Sequence, residues 1–192
     1  MKYLFSIALI LLASSVWPDT ETLVPDGLGS PDAWAFNTTG KVADVTDGVD
    51  GQYIFEVTDE DDQVFSLTNT TFDAGATINS IQIVWRGEDN GSGNNRVQFK
   101  LVSSGGDIAC EGANQALTTS WVTYNETPVT ATPTGTGCDG ALTKALIDGM
   151  LIRVDCTSIG ASRENRVTDI DVIIDFTPPS EGKATIMRTI IQ

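Results

Sequence analysis

The chain has 192 residues, 41% of them hydrophobic and 19% charged, with 26 acidic against 11 basic side chains, no histidine and a formal net charge of −15. That length suits a single domain with its own hydrophobic core, and the negative charge makes nucleic acid and anionic membrane surfaces poor partners. The missing imidazole removes the commonest general base and the commonest metal ligand.

In chain order, Lys2 precedes the apolar run "YLFSIALILLA" and the small residues "ASS". This is the charge, core and cleavage-site order of a secretory signal. It predicts a signal peptide over 1–15 cleaved near Ser15, a secreted product and no stable membrane insertion after processing. A retained anchor is the other reading, although the run is short for a span and Pro18 and Asp19 follow it closely. "LVPDGLGSPDAWAFNTTG" reads as turns around one large apolar anchor, Trp34. The acidic run "DVTDGVDGQ" offers Asp44, Asp47 and Asp50 as hard oxygen ligands for a weak structural calcium site, without the glutamate and flanking helices of an EF-hand. Ordinary solvation is the default for such a run.

Strand signals follow: "QYIFEV" and "QVFSLTN" around the turn "TDEDD", then "SIQIVWRG", "RVQFKLVS", "DIAC", "WVTYNETPV", "MLIRVDCTS" and "RVTDIDVIIDF". They are rich in Val, Ile, Thr and aromatic residues, are separated by Gly/Asn/Ser clusters, and several alternate apolar with polar positions. Only "ALTKALIDG" has helical spacing, one or two turns stopped by Gly149. Short strands every ten or so residues predict an all-β fold, a jelly-roll-like β-sandwich of two antiparallel sheets over 16–177. Past it, "PPSEG" is a spacer, and "KATIMRTIIQ" is a β-prone tail within 178–192. The tail carries Ala184, Ile186 and Ile190 on one side and Met187 and Ile191 on the other.

In an exported chain the three cysteines point to a disulfide, and three pairings are open. Cys110 on a short strand and Cys138 in the Gly/Thr loop beyond the next strand are the favoured pair, which leaves Cys156 either buried or linking subunits. Asn37, Asn69, Asn90 and Asn125 each begin an N-x-S/T triplet and are candidate glycosylation sites, so covalent glycans are candidate partners. G-x-S-x-G, P-loop and paired-cysteine zinc motifs are absent from the sequence. The carboxylate pair Asp169/Asp171 and the run Glu60/Asp61/Asp62 read as solvated faces and not as a glycosidase pair. The expectation is a noncatalytic protein.

The segments "LVPDG", Trp34, "VTDGVDGQYI", "INSIQIVWR", "LTTSWVTY", "TPTGTGCDGALTKALIDG" and "RVTDIDV" occur in this order. Together they resemble a jelly-roll module of uncharacterised secreted and phage-associated proteins. The resemblance implies the fold and places Trp34 and Trp121 in the core. Where many members carry Pro-Trp-Thr after the Thr-Gly, this chain has Cys138 and Asp139. A fold does not name an activity, so two functions stand. One is a subunit of an extracellular, pilus-like fibre, a homopolymer grown head to tail as each tail strand joins the next copy's sheet edge. In that reading the tail could alternatively fold back on its own domain. The other is a secreted carbohydrate-binding module with surface carbohydrate as partner, for which Trp85, helped by Tyr53 or Tyr124, is the candidate aromatic platform.

Overall fold

The computed structural model describes residues 17–37, 40–57, 61–91, 95–104, 108–126, 129–130, 142–158 and 163–179. The signal segment, Cys138 and the tail with Ala184, Ile186, Met187, Ile190 and Ile191 lie outside the described residues. The elements are β1 (Asp19–Leu23), β2 (Pro25–Asp32), β3 (Ala35–Phe36), α1 (Lys41–Asp44), β4 (Ile54–Glu56), β5 (Asp62–Leu67), β6 (Thr77–Asp89) and β7 (Arg96–Val102). They continue with β8 (Ile108–Glu111), β9 (Gln115–Ala116), β10 (Val122–Asn125), β11 (Val129–Thr130), α2 (Lys144–Ile147), β12 (Leu151–Ser158) and β13 (Asn165–Thr177).

These strands form a jelly-roll-like sandwich of two antiparallel sheets. Sheet A runs β10-β6-β13-β4-β3, with β1 also on β13 and β11 also on β6; sheet B runs β2-β5-β12-β7-β8, with β9 also on β7. The spine of sheet A is the pairing of the two 13-residue strands β6 and β13. The other edge of β13 is taken by β4 over 165–167 and by β1 over 172–176. Between those two, the Ile170 amide donates to the Val45 carbonyl (2.8 Å) and the Thr168 hydroxyl to the Asp44 carbonyl (3.0 Å), so α1 fills the gap.

Alternation sets the inward faces. Ile81, Ile83 and Trp85 of β6 and Ile170, Val172 and Ile174 of β13 meet Phe99, Leu101, Ile152 and Phe65 of sheet B in one core. The imperfect alternation of "RVTDIDVIIDF" has a local cause. A register shift between Thr168 and Ile170 puts Asp169 at φ 51° and returns Ile170 to the inner face. Aspartate tolerates that left-handed conformation better than a β-branched neighbour would.

The N-terminal "turn-rich" stretch is a correction to the sequence reading, because it supplies β2 and β3. β2 lies at the edge of sheet B, where proline is tolerated. A Cβ at Gly27 or Gly29 would stand 2.6 Å from Ser66 Oγ or 2.5 Å from Val64 Cγ1, so these glycines let β2 press against the outward side chains of β5. Trp34 is buried as expected, its indole Nε1 donating to the Asp61 carbonyl (3.0 Å).

Cys156 is a buried thiol that accepts a hydrogen bond from Asn165 Nδ2 (2.9 Å). Cys110 is buried on β8. Nonreducing peptide mapping is expected to join the Cys110 peptide to the Cys138 peptide. Removing that bond should cost about 3 kcal/mol, the size associated with a loop of this order. A linkage through Cys156 would overturn the pairing.

Candidate functional site

Side chains of alternate residues on β4 and its lead-in, Tyr53, Phe55 and Val57, point outward from sheet A. In register beside them, Phe55 pairs with Arg166 and Arg166 with Glu88, giving a row that crosses three strands. At the start of β10, Trp121 completes an aromatic cluster. Its ring centroid is 5.8 Å from that of Tyr53, which lies 6.1 Å from Phe55 in an edge-to-face arrangement. Tyr53, Phe55 and Trp121 are half-buried, and Val57 is 55% exposed.

Polar groups fix this patch from two sides. The Arg166 guanidinium sits 4.7 Å from the Tyr53 ring centroid and is paired with Glu88 (2.8 Å) and Glu164 (2.7 Å), a stack that holds the ring flat. Asn37 Oδ1 accepts from the Tyr53 amide (2.8 Å), and Asn37 Nδ2 donates to the Gly51 carbonyl (2.9 Å). Arg86 grips Asp50 through Nε (2.5 Å) and Nη2 (2.9 Å), pinning the loop that leads into Tyr53. That contact holds the Asp50 carboxyl below the usual range. The result is an apolar ring surface rimmed by charged and hydroxyl groups, with Thr123 at 3.3 Å from Arg86 Nη1.

Several sequence expectations change here. Trp85 is fully buried, stacked on Tyr124 (4.3 Å) and tilted against Phe99 (4.7 Å), so neither it nor Tyr124 is an external platform. Trp121, expected in the core, lies on the surface instead. Both placements follow strand parity: Trp85 shares the inward face of Ile81 and Ile83, whereas Trp121 is three residues from the inward-facing Tyr124. The three aspartates of the calcium reading lie apart in their contacts. Asp44 is buried, Asp47 caps the Val49 amide (3.0 Å) and Asp50 clamps Arg86. Among the described residues no group of three His, Cys, Asp or Glu side chains could hold an ion. Of the sequon asparagines, Asn69 and Asn125 are exposed, Asn37 is engaged as above, and Asn90 Nδ2 donates weakly to Glu164 (3.4 Å).

No protein-family model and no curated protein matches the chain. Among the solved structures similar to it are the following two. One is the CBM36-1 domain of a multidomain xylanase from the hindgut metagenome of Trinervitermes trinervoides, 13% identical with a TM-score of 0.41 over 85% of this chain and 99% of that one. The other is the carbohydrate-binding module CBM36 in complex with calcium and xylotriose, 17% identical with a TM-score of 0.36 over 76% of this chain and 94% of that one. Both are named as carbohydrate-binding modules, a different kind of protein from the pilus-like fibre subunit with a homopolymer partner expected from the sequence. Within the domain β13 is paired along both edges, and the tail of the fibre reading lies outside the described residues.

The outer face of sheet B carries a second polar array. Arg153 bridges Asp62 and Asp155 (2.6 Å to Asp155), and Lys100 joins Asp155 (2.6 Å) to Glu111 (3.2 Å). Burial, and then the charge of Asp155, push Asp62 up to about 6. The folded state therefore keeps a proton there that the unfolded chain has released, and stability falls as pH rises from about 4 to 6. Asp62→Asn is expected to abolish that decline and to gain on the parent protein above pH 6, measured by thermal unfolding across the pH range. The comparison is made as a difference between the two proteins because Asp32, held low by Lys41, and Asp50 act with the opposite sign. A variant less stable than the parent at high pH would contradict it.

Proposed function

We propose that the domain is a noncatalytic, extracellular module that binds polysaccharide on the Tyr53, Phe55 and Trp121 patch. The observation that supports the reading is this half-buried aromatic cluster at the surface. Its rings are fixed by Arg166 and by the Asn37 hydrogen bonds, and donors and acceptors surround it. Sugar rings present C–H faces to aromatic surfaces and hydroxyl edges to polar rims, the amphipathic pattern that concave or ridged sites use for orientation.

A noncatalytic role is supported by the state of the carboxylates nearest the patch. Asp50, Glu88 and Glu164 are each committed to an arginine, which leaves them poorly placed to act as acid or base. The rim carries Asp50, Glu88, Glu164 and Asp169 against Arg86 and Arg166 in a chain of charge −15, which favours neutral over acidic polysaccharides. Affinity electrophoresis through gels containing neutral polysaccharides tests the proposal. Retarded migration in at least one gel is expected, and unchanged mobility in all of them would reject it.

A further inference from the structure

We propose that the groove on the outer face of sheet B is a second saccharide subsite that takes a single neutral pyranose unit through vicinal hydroxyls. The ligand class rests on the function proposed above, whereas the site is built from different residues on the opposite sheet. The groove holds about 250 Å³ between Ser30, Pro31, Val64, Val102, Leu151 and Arg153.

Its two kinds of wall suit such a ring. Pro31, Val64, Val102 and Leu151 form an apolar floor for the C–H face. Arg153 stands at the rim in a fixed orientation, because Nε donates to Asp155 Oδ1 (2.6 Å) and Nη2 is paired with Asp62. Asp155 is itself 5% exposed and anchored by Lys100 (2.6 Å). Its ion pairs use Nε and Nη2, and the guanidinium lines the groove together with Ser30 and Ser104, whose hydroxyls can donate or accept. Adjacent hydroxyls of a pyranose supply one acceptor for the guanidinium and one partner for a serine hydroxyl. The charges decide against an anionic ligand: Asp62, Asp155 and Glu111 outnumber Arg153 and Lys100, within a chain of charge −15.

The test is an amide chemical-shift titration of the full chain with methyl β-D-glucopyranoside and methyl β-D-xylopyranoside. Saturable shifts are expected at Val64, Val102, Leu151 and Arg153, and they should persist in Trp121→Ala. Arg153→Lys, which keeps the charge but loses the fork, should weaken them about tenfold, the effect of one lost charge-assisted hydrogen bond. Leu151→Gln, which leaves the ion pairs intact and alters only the floor, should weaken them by a similar factor while the protein remains folded by thermal unfolding. Shifts confined to the surroundings of Tyr53, Phe55 and Trp121, or groove shifts that neither variant weakens, would overturn the subsite. Retardation by polysaccharide with no groove shift rejects the subsite and leaves the patch standing. Groove shifts without retardation do the reverse.

Discussion

Replacing Trp85 with alanine is expected to cost about 3–5 kcal/mol of folding stability, the range for truncating a large buried aromatic. The indole is fully buried where β6, β7 and β10 converge, stacked on Tyr124 and packed on Phe99. Its Nε1 also donates to Glu126 Oε1 (3.1 Å), while Glu126 Oε2 accepts from the Ala113 amide (2.9 Å). The truncation therefore leaves both a cavity and a buried carboxylate oxygen without its donor, and the second loss pushes the cost toward the upper end. For a domain of ordinary stability that is a large fraction of the total. Urea unfolding followed by circular dichroism should show a midpoint far below that of the parent with a similar slope. A loss under about 1 kcal/mol would mean that Trp85 does not occupy the core, since that is the scale of surface substitutions.

Trp121→Ala is expected to do the opposite: to lower affinity for polysaccharide by about thirtyfold, or ~2 kcal/mol, the size of an aromatic hot spot, and to change stability by about 1 kcal/mol or less. Trp121 rests against Tyr53 at the surface and closes no cavity. Its neighbours are held independently, Tyr53 by Arg166 and Asn37, so the remaining ring should keep its position. Trp121→Phe should retain part of the affinity through the smaller ring. Equal binding by the alanine variant and the parent would place the ligand elsewhere.

The two tryptophans also show how far the sequence could be read. Strand existence was legible from β-branched runs and turn clusters, and the long pairing of β6 with β13 gives those runs their place. The parity of "SIQIVWRG" places Trp85 with Ile81 and Ile83 on the core face, which the expectation of Trp85 as an external platform overlooked. Trp121 was harder because β10 is a four-residue strand and offers too few alternations to show which side is buried. Asp44, Asp47 and Asp50 looked like one ligand set because they are spaced by three. Spacing along a short helix and a turn disperses side chains, and each meets a different partner. The patch itself joins residues 53, 55, 121 and 166, and that assembly depends on strand order and register, which no local pattern encodes. The Arg86 clamp on Asp50 and the Asn37 brace of Tyr53 are likewise tertiary contacts between residues 36 and 16 positions apart.

Carbohydrate binding on the aromatic patch is tested most directly by following the indole N–H resonances during titration with neutral oligosaccharides. Trp34 Nε1 is committed to the Asp61 carbonyl and Trp85 Nε1 to Glu126, both within the folded interior. The Trp121 signal is predicted to shift with a saturable dependence on ligand, together with the Tyr53 and Phe55 amides, while the Trp34 and Trp85 signals stay in place. A Trp121 signal unmoved by every neutral oligosaccharide, or a titration that moves only the buried indoles, would contradict it.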